Sequence, residues 1–243
     1  YVAAVKAKIL SEKPDAQIID ISHDIRKFDI IQSAHLLKSV YQDFPEGTLH
    51  MVAVNTNNIP EDLIAIKMKG HYFMGNNNGL FSLIVEKDPE KIIQLSGQNK
   101  KDVFPAKNVM ALAAANFLKE NNIDKLGESF DLSKYQKYMP LRVKANTEMI
   151  QGHVVHIDSY GNLITNISKV DYDILSKDKN TLIKFRTYGL TRVLHNYHET
   201  KGGDAFALFN SNGYLEIGIK EGNAAELLGM EYSSVVSIKF SDY

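Results

Sequence analysis

The sequence predicts an α/β domain built on a mostly parallel sheet, followed by a smaller, mostly-β, barrel-like domain, with the join between residues 146 and 147. Three observations carry this. Residues 49–54, Leu-His-Met-Val-Ala-Val, are a near-continuous apolar run, as suits a parallel strand covered on both faces. Up to residue 146 such runs alternate with helix-period segments. Beyond residue 148 the chain turns to short strand-like stretches separated by turn residues.

The elements follow in order. Residues 1–10 read as a helix already under way, with Val2, Val5, Ile9 and Leu10 on one face and no N-cap before Tyr1, so a strand is expected upstream. Residues 16–22 read as a buried strand. Asp29 and Gln32 suggest a capping box for a helix over 30–44. Strands over 63–68 and 71–74 are joined by Lys69-Gly70, and a short strand covers 92–95. Pro105 suits the first turn of a helix reaching residue 119, where its missing N–H is harmless. Gly127 marks the turn after it. Strands are then expected over 149–157, 163–167, 181–186, 205–209, 214–219 and 235–240, interrupted by one short helix over 223–228.

Composition narrows the function. The chain has 243 residues, 44% hydrophobic and 23% charged, with net charge −1, so no basic surplus points to nucleic acid or an anionic membrane. It has no cysteine, which excludes disulfides and thiolate zinc sites and fits a cytoplasmic protein. No apolar run reaches membrane-spanning length and no signal peptide is visible. The histidines lack metal spacing: His153 and His156 point to opposite faces of a strand, and His195 and His198 fall in an irregular segment. No metal or cofactor is expected.

The most informative segment is His156-Ile-Asp158-Ser-Tyr160-Gly-Asn162-Leu-Ile-Thr-Asn166-Ile167. A plain hairpin needs only the Tyr-Gly-Asn bend. The added carboxylate, aromatic face and amide suggest a ligand site. Gly75-Asn-Asn-Asn-Gly79 and Val54-Asn-Thr-Asn-Asn58 both leave strand ends, where α/β sheets line ligand crevices; each is also readable as a turn alone. Asn210-Ser-Asn-Gly213 reads first as a type I′ hairpin turn. His23 could face the crevice, or serve as a capping histidine. No Gly-x-Ser-x-Gly elbow or Ser/His/Asp series is present.

Seven segments jointly resemble one family. They are Tyr1-Val-Ala-Ala-Val-Lys, Asp15-Ala-Gln-Ile-Ile-Asp-Ile-Ser-His23, Phe44-Pro-Glu-Gly-Thr-Leu-His50, Asn77-Asn-Gly-Leu, Asp158 to Ile167, Asn210-Ser-Asn-Gly-Tyr-Leu-Glu-Ile217 and Gly222-Asn-Ala-Ala-Glu-Leu-Leu-Gly229. In this order they resemble the S-adenosylmethionine (SAM) hydroxide adenosyltransferases, or SAM hydrolases, relatives of the SAM-dependent fluorinase and chlorinase. The resemblance implies a homotrimer binding SAM at subunit interfaces, between the first domain of one subunit and the second domain of its neighbour. It implies that Tyr160 and Tyr197 sandwich the adenine and that Phe28 and Phe104 wall the ribose and sulfonium. Asn162 would bond the adenine edge, and Asp158 and Ser211 would hold the methionine ammonium and carboxylate. It also implies that a Thr-Asp-Phe-Gly strand, whose Asp grips the ribose, precedes Tyr1.

The resemblance breaks at the reaction centre. The hydrolases use an Asp, Arg and His set to activate water. Here the Asp position is Asn55, the Arg position falls near Asp62-Leu63, and the His position is Pro105. The fluorinase's halide serine falls at Ala106, and Asn212 stands where some relatives carry Arg. Three functions follow as expectations: SAM cleavage to adenosine and methionine, non-catalytic binding of SAM or adenosine, and halide transfer in the space Ala106 leaves.

Overall fold

The computed structural model describes residues 1–56, 62–85, 87–99 and 101–242. The chain divides into two compact units, Tyr1–Met139 and Pro140–Tyr243. The expected boundary fell a few residues later. Strand β6 (Lys144–Ala145) ladders onto β7 (Met149–Ile157), and the Leu141 carbonyl accepts from Asn166, so residues 140–146 pack with the second unit.

In the first unit, helices α1 (Val2–Glu12), α2 (Ile30–Val40), α3 (Leu80–Ile84) and α4 (Ala111–Glu120) surround a sheet. Its strands are β1 (Leu49–Met51), β2 (Leu63–Met68), β3 (His71–Asn76), β4 (Lys91–Leu95) and β5 (Gly127–Ser129), in the order β1-β3-β2-β4-β5. Among the described residues only β1 and β3 pair in parallel; the other three pairings of this sheet are antiparallel. The sheet is thus mixed rather than mostly parallel. Lys69 and Gly70 both take positive φ, a two-residue turn that folds β2 straight back onto β3. The apolar runs do report two-sided burial. Leu63 and Ala65 of β2 enter one core with Ile9, Ala113 and Phe117, while Ile64 and Ile66 enter another with Leu37, Phe73 and Phe81.

Two local expectations also change. Residues 16–22 join no ladder among the described residues, and Ile19 is 68% exposed. Asp29 does cap α2, its carboxylate accepting from the Ile31 and Gln32 amides. Gln32, however, reaches the Arg26 amide instead of closing a capping box.

The second unit holds β6, β7, β8 (Leu163–Ser168), β9 (Asn180–Phe185), β10 (Tyr188–Leu190), β11 (Ala205–Phe209), β12 (Tyr214–Ile219) and β13 (Val235–Ser241) in one antiparallel sheet. The order β10-β9-β13-β7-β8-β12-β11 curls toward closure. Leu194, just beyond β10, forms a bridge to Leu208 of β11, which leaves a nearly closed, barrel-like unit. In β7 buried and partly exposed residues alternate, and Ile150 and Val154 point into a core with Leu163, Ile217, Val236 and Ile238. Helix α6 (Ala224–Leu228) is the expected one. Helix α5 (Lys169–Leu175) is additional, started by Ser168 accepting from the Asp171 amide. Among the described residues no helix is long and apolar enough to cross a membrane.

Candidate functional site

Two tight turns of the second unit, β7–β8 and β11–β12, share one backbone design. In the β7–β8 connection, Asp158 donates its amide to the Asn162 carbonyl and accepts the Gly161 amide on its own carbonyl. Its Oδ1 accepts the Tyr160 and Asn162 amides, both at 2.9 Å. In the β11–β12 connection, Asn210 does the same with Tyr214 and Gly213, and its Oδ1 accepts the Asn212 and Tyr214 amides. Gly161 (φ 82) and Gly213 (φ 75) take the left-handed conformation. Neither Ser211 nor Asn212 has positive φ, so this is a type I turn closed by a glycine bulge, not the type I′ turn expected.

The turns sit at opposite ends of one row along β12. Leu163, next to the first turn, pairs with Ile217, while Ser168 pairs with Tyr214 beside the second. The three residue steps from Tyr214 to Ile217 make this row about 10 Å long. Gly218 clears one end, since a Cβ there would lie 2.5 Å from Asn162 Oδ1. In the middle stands Glu216, only 3% exposed, which accepts from the Tyr197 hydroxyl at 3.0 Å and from Asn210 Nδ2 at 3.4 Å. A cleft of about 380 Å³ opens here, lined by Tyr197, Asn210, Ser211 and Glu216 together with His195 and Leu208.

Electrostatics ties the row together. Burial is the main cause raising the Glu216 carboxyl, partly opposed by the Tyr197 and Asn210 hydrogen bonds and assisted by the charge of Asp158. The Tyr197 phenol is pushed up to about 12, first by burial, then by Glu216 and by Asp158. Asp158 therefore acts on the middle of the row. Tyr160, 78% exposed, presents its ring at the tip of the first turn, and Ser211 and Asn212 are exposed at the tip of the second. Of the expected ligand residues, Asp158 and Asn162 share one turn (Asn162 Nδ2 donates to Asp158 Oδ2 at 3.1 Å), and Tyr197 and Ser211 share the cleft. Much of the polar surplus of the first turn is spent locally, because Asp158 uses both oxygens to hold its own backbone and Asn162.

Glu216 escaped functional notice in the sequence. Its signal was a charged residue in the middle of the strand-like run Tyr-Leu-Glu-Ile, where burial demands partners.

In the first unit the two amide-bearing loops meet, as Asn78 Nδ2 lies 3.4 Å from the Val54 carbonyl. Asn55 takes positive φ (58°). Asn57 and Asn58 lie outside the described residues. Asn77 is scaffold: buried, it donates to the Lys134 carbonyl and accepts the Gln136 amide. Asp102 caps the segment after it through the Phe104 amide and Asn108 Nδ2. Pro105 is buried, and residues Ala106–Met110 form a π-helical turn before α4. Ala106 belongs to the apolar core with Val109 and Met110, and Phe104 is packed edge-on by Tyr1 at 5.1 Å. Phe28 is 70% exposed at φ 66°, an unusual conformation for an aromatic residue and the kind of strain found at ligand clamps. His23 pairs with Asp20 at 3.0 Å. His50 and His71, 21 residues apart in sequence, meet at 3.3 Å inside an aromatic core; burial and then His71 push His50 down to about 4. No group of three or more potential metal ligands occurs among the described residues.

Comparison with known proteins agrees with this layout. Residues 1–127 match the SAM hydroxide adenosyltransferase N-terminal domain, and residues 152–237 match its C-terminal domain. The chain is 32% identical to the (R)-S-adenosyl-L-methionine hydrolase of Methanocaldococcus jannaschii, over 98% of this chain and 90% of that protein. It is 26% identical to the enzyme of the same name from Thermus thermophilus, over 95% and 91%. A crystal structure of an uncharacterized conserved protein from Thermotoga maritima shares the fold, with a TM-score of 0.86 at 24% identity, over 98% and 95% of the two chains.

Proposed function

The chain belongs to the SAM hydroxide adenosyltransferase family, and on that premise we propose that it is a SAM hydrolase-like enzyme forming adenosine and L-methionine. The observation that carries this is the match, across nearly the whole chain, to a relative named as a SAM hydrolase. Water oxygen attacks ribose C5′, the C5′–S bond breaks, and methionine sulfur keeps the electron pair. The water loses its proton to solvent. The sulfonium already makes methionine a good leaving group, so the protein's task is to hold water in line and partly desolvated.

The row along β12 supports an extended ligand. Tyr160 and Tyr197 stack on adenine and Asn162 bonds its edge. Asp158 holds the ammonium, Ser211 and Asn212 the carboxylate, and Phe28 and Phe104 wall the ribose and sulfonium. Asn55 can orient water but takes no proton at neutral pH, and Pro105 and Ala106 offer no acid–base group. Lack of a positioned base lowers the rate by about 10²–10⁴. We further propose a cytoplasmic homotrimer with its sites at subunit interfaces. Light scattering on the purified chain gives the trimer mass if so, and a monomer mass removes it.

Incubation with each sulfonium epimer, since both relatives are named for the (R) form, tests the activity. Adenosine above a SAM-only control supports it. A second reading, non-catalytic SAM or adenosine binding, is favoured by Asn55, Pro105 and Ala106, none of which carries a base. Calorimetric binding without product selects that reading. Halide transfer has less support, since Ala106 is packed in the core; 5′-halo-5′-deoxyadenosine formed with chloride or iodide would revive it.

A further inference from the structure

We propose that Glu216 is the positioning residue for Tyr197, fixing the aromatic wall on which the adenine ring stacks; this rests on the adenosyl-binding reading above. Tyr197 stands in a single 3-10 turn, Tyr197–Glu199, within the long connection between β10 and β11. Among the described residues no strand ladder holds that turn. The Asn196–Glu199 capping box, the Arg192–Glu199 ion pair at 2.9 Å and the His195 amide on Glu199 fix its backbone. The Tyr197 ring itself meets Phe206, with centroids 5.6 Å apart, and its hydroxyl donates to Glu216 Oε1. Among the described residues that hydrogen bond is what fixes the hydroxyl end of the ring.

Glu216 is suited to that task. It lies on β12, between β8 and β11, where the ladder holds its backbone on both sides. Asn210 Nδ2 lies 3.4 Å from the other carboxylate oxygen, so both oxygens have a partner and the side chain has little freedom. Burial at 3% exposure makes losing a partner costly, and the carboxylate in turn restrains the ring. The phenol stays protonated at neutral pH, as its upward shift requires, and remains a donor. A ring fixed beforehand loses less freedom when a base stacks on it, so its anchor appears in affinity without touching the ligand.

The test is calorimetric titration of the full chain with adenosine and with SAM. Tyr197→Phe removes only the hydroxyl, and Glu216→Ala removes its acceptor together with the partner of Asn210 Nδ2. Each is expected to weaken both ligands by about tenfold, the scale of one base–aromatic stack. Glu216→Gln keeps an acceptor oxygen and is expected to stay within about threefold of wild type. The double variant Tyr197→Phe/Glu216→Ala is expected to be no weaker than either single variant, because both break one interaction. If Glu216→Ala fails to fold, Tyr197→Phe and Glu216→Gln carry the comparison. Unchanged affinity in Tyr197→Phe, or strictly additive losses in the double variant, overturns the positioning role while leaving the adenosyl-binding reading intact. A wild-type chain that binds neither adenosine nor SAM overturns both.

Discussion

The turns at Asp158 and Asn210 have the same backbone and different purposes. Each begins with an Asx side chain that accepts two amides, ends in a left-handed glycine, and has its glycine carbonyl bonded by a helix amide: Gly161 by Ala225, Gly213 by Lys169. The side chains diverge where chemistry enters. Asp158 has to accept, because its second oxygen takes Asn162 Nδ2. Asn210 has to donate, because its Nδ2 faces the buried Glu216. One scaffold is thus tuned by a single atom, carboxylate oxygen in one turn and amide nitrogen in the other.

The glycines break the symmetry most sharply. A Cβ on Gly161 would lie 2.0 Å from Asn223 Oδ1, the atom that caps α6 through the Glu226 amide. A Cβ on Gly213 meets nothing within 4 Å. Gly161→Ala is therefore expected to lose the cap as well as straining φ, about 3 kcal/mol together, whereas Gly213→Ala costs only the left-handed conformation, about 1–2 kcal/mol. Urea unfolding of both variants measures the difference; equal losses would mean that Asn223 moves aside freely.

Exchanging the Asx residues gives the next largest effect. Asn210→Asp sets a second carboxylate against Glu216 and is expected to cost about 2 kcal/mol at neutral pH, recovering toward acid as the pair takes up a proton. Asp158→Asn keeps both amide bonds through its remaining oxygen and is expected to cost about 1 kcal/mol. Should the order reverse, Asn210 is not a partner of Glu216.

Glu216 also gives the row a pH dependence of definite sign. Its folded pKa lies above the ordinary glutamate value, chiefly through burial. The folded state therefore binds its proton more tightly than the unfolded chain does. The stability this contributes is complete below the unfolded value and is lost as pH rises through the folded one. Glu216→Gln abolishes that loss, so the variant's stability relative to wild type is expected to improve from pH 4 toward neutrality. A flat difference across that range would show that Glu216 does not titrate on folding.

What could be read from the sequence follows from what determines each feature. The second unit was legible nearly strand by strand, because alternation and turn residues are local signals. The mixed sheet of the first unit was not. An apolar run such as Leu63-Ile-Ala-Ile reports burial on two faces, and antiparallel strands with helices on both sides satisfy it equally well. The ligand residues proposed for the second unit stand out because they cluster in sequence, at Asp158-Ser-Tyr-Gly-Asn and at Ser211. The Tyr197–Glu216 bond joins residues 19 apart on different elements, and no local pattern announces it. Asp158 was misweighted in the opposite sense: its carboxylate looked surplus to a turn that it in fact holds together.

The smallest change in stability is expected at the two tips. Tyr160 and Asn212 occupy the same position in their turns, both exposed, and both contribute a backbone amide that any residue supplies. Tyr160→Ala and Asn212→Ala should each stay within about 0.5 kcal/mol of wild type in stability. Binding should separate them. Tyr160→Ala removes a stacking face and is expected to weaken adenosine by about tenfold. Asn212→Ala should leave adenosine nearly unchanged and weaken SAM by only a few-fold, because a neutral amide hydrogen bond to a carboxylate is all that is lost. Calorimetry with both ligands reads the split. If Asn212→Ala weakens adenosine as much as Tyr160→Ala does, the ligand does not lie along the row with its base at the Asn162 end, and the two turns exchange roles.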